Sequence, residues 1–259
     1  MLSRGQVVEN TDLGSGFKEK ALEVLGRLEY RRILGGEDLE DVFRLRYEAY
    51  IRGGLIEKST SRKSTDYYDT TPNCMIFGLY YDGELASSIR VHHASQDIPY
   101  CPTKSHFPGV LEPYLEAGVR FVDASRFCAD LRLSQQIPNL PLFTTRLSAM
   151  ACVYHEAHYM LSVIRPEHSA FYRRYFNMKL WSKNQKVDWF AFPVDLYAAD
   201  VETCRHGVLQ RLPFFRSLPQ ERELLFGDRE ANSVHVRPTA HSAIKAAQNV
   251  TDFGQMDSK

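Results

Sequence analysis

The order of apolar and polar positions divides this chain into alternating helical and extended segments. Residues 16–28 place Phe17, Ala21, Leu25 and Leu28 three and four apart, which predicts an amphipathic helix. Leu28-Glu29-Tyr30-Arg31-Arg32-Ile33-Leu34 then alternates with period two, a half-exposed strand. Gly35-Gly36 ends it. Glu37 to Ile51 returns to helical spacing through Leu39, Val42, Phe43, Leu45, Arg46 and Tyr50, with Glu37, Asp38, Glu40 and Asp41 in the first turns where the macrodipole favours acids. Arg52 to Thr71 is long and polar, and a loop of that length without structure of its own is more often functional than connective.

Two strand-like runs follow, Cys74 to Tyr81 and Glu84 to His93, joined by Asp82-Gly83, a strong hairpin signal. Pro99, Pro102, Pro108 and Pro113 punctuate an irregular crossing with a short helix over Val110 to Glu116. Phe121 to Asp130 is the focal strand. Apolar Phe121, Val122, Phe127 and Cys128 bracket Asp123, Ser125 and Arg126, three groups that are costly to bury unpartnered, so this strand is either well paired or lines a site. A loop through Pro138 and Pro141 leads to a helix over Leu142 to His158, a buried strand Tyr159 to Ile164, an aromatic helix His168 to Met178 and a strand from Lys179 to Trp181. Asp188 to Pro193 extends that strand or pairs with it.

Residues 194–230 read as helical pieces split by Pro213 and Pro219, and residues 231–259 as a flexible polar tail with one short helix near Ala243 to Gln248. A hairpin followed by crossover helices implies an α+β fold, a mixed central β-sheet flanked by helices. The divisions are an N-terminal arm and helix (1–28), a main domain (29–193), a helical extension (194–230) and the tail (231–259).

Composition narrows the function. At 44% apolar and 25% charged the chain is a soluble globular type, and its zero net charge gives nucleic-acid binding no electrostatic support. No apolar run is long enough for a membrane span, and Met1 to Gln6 lacks the apolar core of a secretory signal. Five widely spaced cysteines without a Cys-x-x-Cys imply a reduced, cytoplasmic protein. His155-Glu156-Ala157-His158 does not have zincin spacing, and no metal is expected.

Four separated elements carry chemistry: Arg46 with Tyr50 four residues on, Asp66-Tyr67-Tyr68-Asp69, Arg90 in the second hairpin strand, and Asp123-Ala124-Ser125-Arg126-Phe127. In this order they resemble the motifs of the acyl-homoserine-lactone autoinducer synthases and, more closely, of the N-acyl amino acid synthases. Both have the GNAT N-acyltransferase fold, and Phe171-Tyr172-x-x-x-Phe176 is similar to the aromatic helix before the last GNAT strand. The resemblance spans roughly residues 29 to 192. It departs from the autoinducer synthases in two places and from the ordinary GNAT enzymes in a third. Asp123 stands where they have Glu, one methylene longer. Gly53-Gly54-Leu55-Ile56 stands where they have a Trp, which favours an amino acid over S-adenosylmethionine as acceptor. Leu131 to Leu142 holds no Gln/Arg-x-x-Gly-x-Gly/Ala run, which favours acyl carrier protein over coenzyme A as donor.

The resemblance implies an enzyme that moves a fatty acyl group from the phosphopantetheine thioester of acyl carrier protein, or from acyl-CoA, to an amino acid's α-amine, with no further cofactor. An autoinducer synthase and a non-catalytic acyl- or carrier-binding module are the alternatives. Asp123 is the candidate base or ammonium anchor, or else it pairs with Arg126 or Arg90. Ser125 orients Asp123 or the thioester, or is a satisfied strand serine, and Tyr50 and Phe127 border the substrate. Arg46, Arg90 and Arg126 either grip the acceptor's carboxylate in forked hydrogen bonds or brace the loop through Asp66 and Asp69. Arg165, Arg173, Arg174, Lys179 and Lys183, with Lys186, form a local basic excess that is either a landing patch for an acidic carrier protein or a solvated face. Met75, Phe77, Leu79, Met150, Tyr154, Met160 and Leu161 are acyl-tunnel or core positions.

Overall fold

The computed structural model of the protein describes residues 15–186, 192–228 and 234–256. In chain order these form α1 (Ser15–Gly26), β1 (Leu28–Ile33), α2 (Gly36–Arg52), β2 (Cys74–Tyr81), β3 (Glu84–Ala94), α3 (Pro102–His106), α4 (Glu112–Glu116), β4 (Phe121–Ala129), α5 (Leu131–Gln136), α6 (Leu140–Tyr154), β5 (Tyr159–Ile164), α7 (Ser169–Phe176), β6 (Lys179–Gln185), β7 (Val194–Asp200), α8 (Val201–Arg211), α9 (Pro219–Phe226), β8 (Val234–Val236) and α10 (Ala240–Met256). Short 3₁₀ turns stand at Tyr67–Thr70, Pro166–His168 and Pro213–Phe215.

The strands join one mixed sheet in the order β6-β7-β5-β4-β3-β2-β1-β8. Neighbours are antiparallel except β4 and β5, whose parallel pairing requires a crossover, supplied by α5 and α6. The β2–β3 turn places Asp82 and Gly83 both at positive φ, as a twisted hairpin needs. Period-two alternation sorts side chains between the faces. Met75, Phe77, Val122, Met160 and Tyr197 meet α6, α8 and the C-terminal helices. Ile33, Ile76 and Tyr80 meet Val42 of α2, and Phe121, Leu161, Leu196 and Ala198 meet α3 and α4.

One irregularity positions the site. β4 pairs with β5 from Phe121↔Tyr159 to Ala124↔Ser162 and no further, while β5 stays with β7 as far as Ile164↔Asp195. β4 meanwhile follows β3 to Ser87↔Ala129, with a bulge that sets Arg126 and Phe127 against Ile89 alone. Arg126 takes the extra residue's kink at φ 55°. The two parallel strands therefore diverge from Ser125 and Val163 onward, leaving a gap in the middle of the sheet.

Several elements differ from expectation. The main domain does not stop at residue 193: Val194–Asp200 is a strand buried between β5 and β6, not a helical piece. Residues 234–236 pair with β1 and Ala240–Met256 is helical, where a flexible tail with one short helix is expected. Leu131–Gln136 and Pro102–His106 are helices in stretches read as irregular. The helix expected over Leu142 to His158 runs from Leu140 to Tyr154. The expectations for residues 1–14 and for residues 188–191 lie outside the described residues.

Candidate active site

The gap between β4 and β5 opens into a cleft of about 330 Å³. Its polar wall is made of Asp66, Tyr68, Arg90, His106, Asp123, Ser125 and Arg126, and its apolar wall of Leu55, Ile56, Phe127, Val163, Ile164 and Phe192. The long polar segment after α2 is thus one side of the site. Its structured part is the turn Tyr67–Thr70, closed by a reciprocal capping box: Asp66 accepts from Tyr68 N at 2.9 Å, and Asp69 from Asp66 N at 3.0 Å.

The same two carboxylates gather the three arginines. Arg46 Nη1 donates to both oxygens of Asp69 at 2.8 and 3.0 Å, and Arg90 Nη1 donates to Asp69 at 3.0 Å and to Asp66. Arg126 donates to Asp66 from Nε and Nη2, and Arg90 Nε reaches Ser125 Oγ at 3.1 Å. Two of the expected roles meet the geometry differently. Arg46 is wholly buried, absent from the cleft wall and bound to the turn through Asp69. Asp123 bonds neither Arg90 nor Arg126. It accepts from Thr103 N at 2.9 Å, at the start of α3.

Electrostatics separates the two acids of the cleft. Burial pushes Asp66 up, but the Arg90 and Arg126 guanidiniums outweigh it and hold the carboxyl well below the usual carboxylate range. Burial dominates at Asp123 and raises it. Tyr50 lies under the Arg126 guanidinium, 5.4 Å from ring centre to Cζ, and burial raises its phenol. Burial likewise lowers His106 to about 4, so it is neutral near pH 7.

Of the basic cluster, Arg165 borders the cleft, pairs with Glu167 and lies 4.5 Å above the Phe192 ring, while Arg173, Arg174, Lys179 and Lys183 are exposed. Met75, Phe77, Leu79 and Leu161 are core, not cleft wall. Sequence reading missed Thr103, His106, Ser162, His168 and Tyr172, all of which line the cleft. The Pro102 signal for a helix start was the available hint for the first two.

Residues 41–200, more than half of the chain, match the family described as N-acyl amino acid synthase FeeM. Among solved structures, FeeM, an N-acyl amino acid synthase from uncultured soil microbes, superposes with a TM-score of 0.59 at 18% identity, covering 71% of this chain and 96% of its own. The acyl-homoserine-lactone synthase LasI aligns at 0.50 and 16% identity, covering 67% of this chain and 89% of its own. TofI, solved in a ternary complex with an inhibitor and MTA, also aligns at 0.50 and 16%, over 72% of this chain and 98% of its own. No curated protein matches the chain in sequence.

Proposed function

Because the chain belongs to the N-acyl amino acid synthase FeeM family, we propose that it transfers a fatty acyl group from acyl carrier protein to the α-amine of an amino acid. N-acyl transfer comes with the family; donor and acceptor are the further step. The observation that carries the reading is a cleft with a cationic wall and an apolar wall at the point where β4 leaves β5. An amphiphilic reaction needs both walls: one for the acceptor's charged groups, one for the acyl chain.

The amine attacks the thioester carbonyl, a C–N bond forms, the C–S bond breaks, and the phosphopantetheine thiol leaves with a proton. Backbone N–H groups of β4 beyond Ala124, which β5 does not pair, are the donors available to the developing oxyanion. Roughly a tenth of an α-amine of pKa near 8 is already neutral at pH 7. A base therefore contributes only about 1.4 kcal/mol, and positioning matters more. Asp123, raised by burial, is the better proton acceptor of the cleft's two acids, because Asp66 is held ionised by two guanidiniums. Arg126 is the least buried of the three arginines and takes the acceptor's carboxylate, while Arg90 and Ser125 keep the polar wall in place.

A carrier-bound donor is supported by the segment after β4. It is a helix, α5, whose N-terminus is closed by Asp130 accepting from Leu133 N at 2.9 Å, which sets an acid where a free pyrophosphate would need donors. Exposed Arg173, Arg174, Lys179 and Lys183 then form the landing face for an acidic carrier. The test is to incubate the protein with acyl carrier protein thioester, mixed amino acids and S-adenosylmethionine, and to read products by mass. Acyl amino acids are expected. An acyl lactone would transfer the chain to the autoinducer reading, and an intact thioester would leave a binding module.

A further inference from the structure

A second cavity, of about 290 Å³, lies between α6, β5, α8, the Pro213–Leu218 segment and α10. Its walls include Met150, Met160, Phe176, Val208, Leu209 and Phe215, and its polar side chains are dominated by Arg205, Arg216 and Arg222. Much of it is built from residues beyond 200, where the family match ends. The cavity has the volume of a small-ligand pocket and a mainly apolar wall.

Charge decides what fits. Among the described residues no carboxylate lines the cavity, while Arg205 and Arg216 also border an adjoining surface pocket walled by Glu156, Asp200 and Glu202. Arg222 Nη1 donates to Ser217 O and Oγ at 2.6 and 2.9 Å, which satisfies hydrogen bonds without neutralising the cation. Glu221, the adjacent acid, is fully buried and turned away, held by Arg146 at 2.6 Å and by Thr239. Burial and the neighbouring Arg205 both lower Arg222, as expected of like charges brought together at the edge of an apolar space. Arginines at the rim of an apolar pocket that holds no acid of its own suit an anion carrying an apolar chain.

We propose that this cavity is a binding site for a carboxylate amphiphile, a fatty acid or an N-acyl amino acid, with the chain against Met150, Met160 and Phe215 and the carboxylate on Arg205, Arg216 and Arg222. The site stands apart from the cleft and does not rest on the donor or acceptor proposed for it. The two are nevertheless neighbours. Met160 and Phe176 also border a void of about 20 Å³ whose remaining walls include Ala124, Phe127, Ser162 and Tyr172 of the cleft. An occupied cavity would press on the side chains that back the cleft's apolar wall.

Calorimetric titration of the full chain with dodecanoate, N-dodecanoylglycine and dodecanol, each below its micelle concentration, tests the site. Saturable one-site binding of a carboxylate is expected, with dodecanol at least about tenfold weaker. The double variant Arg205→Gln/Arg222→Gln should weaken carboxylate binding about tenfold or more, and Ala149→Trp, which fills the cavity, should abolish it. Tighter binding of dodecanoate assigns the site to free fatty acid, and tighter binding of N-dodecanoylglycine assigns it to the acyl amino acid. The proposal is overturned if neither carboxylate binds saturably, or if affinity is unchanged in the arginine variant. Should Ala149→Trp fail to fold, the arginine variant, on partly exposed positions, decides alone.

Discussion

Asp69 accepts at once from Arg46, Arg90, Thr65 and the backbone of Asp66, with its side chain almost wholly buried. One carboxylate therefore holds two buried guanidiniums and the turn that walls the cleft. Asp69→Asn keeps the shape and removes the charge that both cations face. Breaking a buried pair from one side costs about 3–5 kcal/mol, because the partner charge stays behind. The expected result is a lower urea midpoint at unchanged slope; an unshifted midpoint would mean that water replaces the carboxylate. At this scale the sequence was informative. Asp66-x-x-Asp69 and the three arginines were recognisable by type and order, and the structure joins them. Which arginine faces the cleft was not readable, because that depends on the bulge at Arg126, and no local residue type forces a bulge there.

Elements were legible where local chemistry and pattern agreed. Asp82-Gly83 supplies the positive φ angles that its turn needs, so the hairpin was clear. Val194–Asp200 failed for the opposite reason: it is buried on both faces, so it shows no alternation, and Leu196, Ala198 and Ala199 suit a helix equally well. β8 has three residues and exists through its pairing with β1, which no local signal encodes. The contact between β3 and the end of α6 has a testable consequence. His93 and His155 stack 4.3 Å apart, burial lowers both, His155 to about 4, and Arg120 and Arg32 add to the effect on His93 and His155 respectively. His92, packed on the other face against Tyr68 and Thr71, is also lowered to about 4, chiefly by burial. The unfolded chain, with ordinary histidines near 6.5, takes up these protons first, so stability is full above about 6.5 and falls as the pH drops toward 4. Thermal unfolding should shift down across that window. His155→Phe should flatten part of the slope, and an identical slope would exclude the stacked pair as its source.

Over the whole molecule, the segment beyond residue 200 is part of the fold instead of an appendage. Arg146 of α6 donates to Glu221 at 2.6 and 3.0 Å and to the backbone oxygens of Phe214 and Arg216, all within the core. Glu221 in turn accepts from Thr239 N, which fixes the approach to α10. Polar composition concealed this, since a buried Arg–Glu pair looks like surface charge in a sequence. Ending the chain after residue 230 removes β8, uncovers the β1 edge and leaves Glu221 short of two donors. The truncated protein should aggregate on mild warming, followed by light scattering, and a soluble form with an unchanged melting temperature would contradict the assignment.

The pairing of β8 with β1 also sets a timetable for synthesis. β1 leaves the ribosome early, yet the strand that shields it emerges only some 200 residues later, about 10–40 s at ~5–20 residues per second. In the last part of that interval, once β7 is out, the nascent chain carries an open hydrogen-bonding edge beside an otherwise assembled sheet. A ribosome paused just before β8 would thus hold the chain in its most adhesive form.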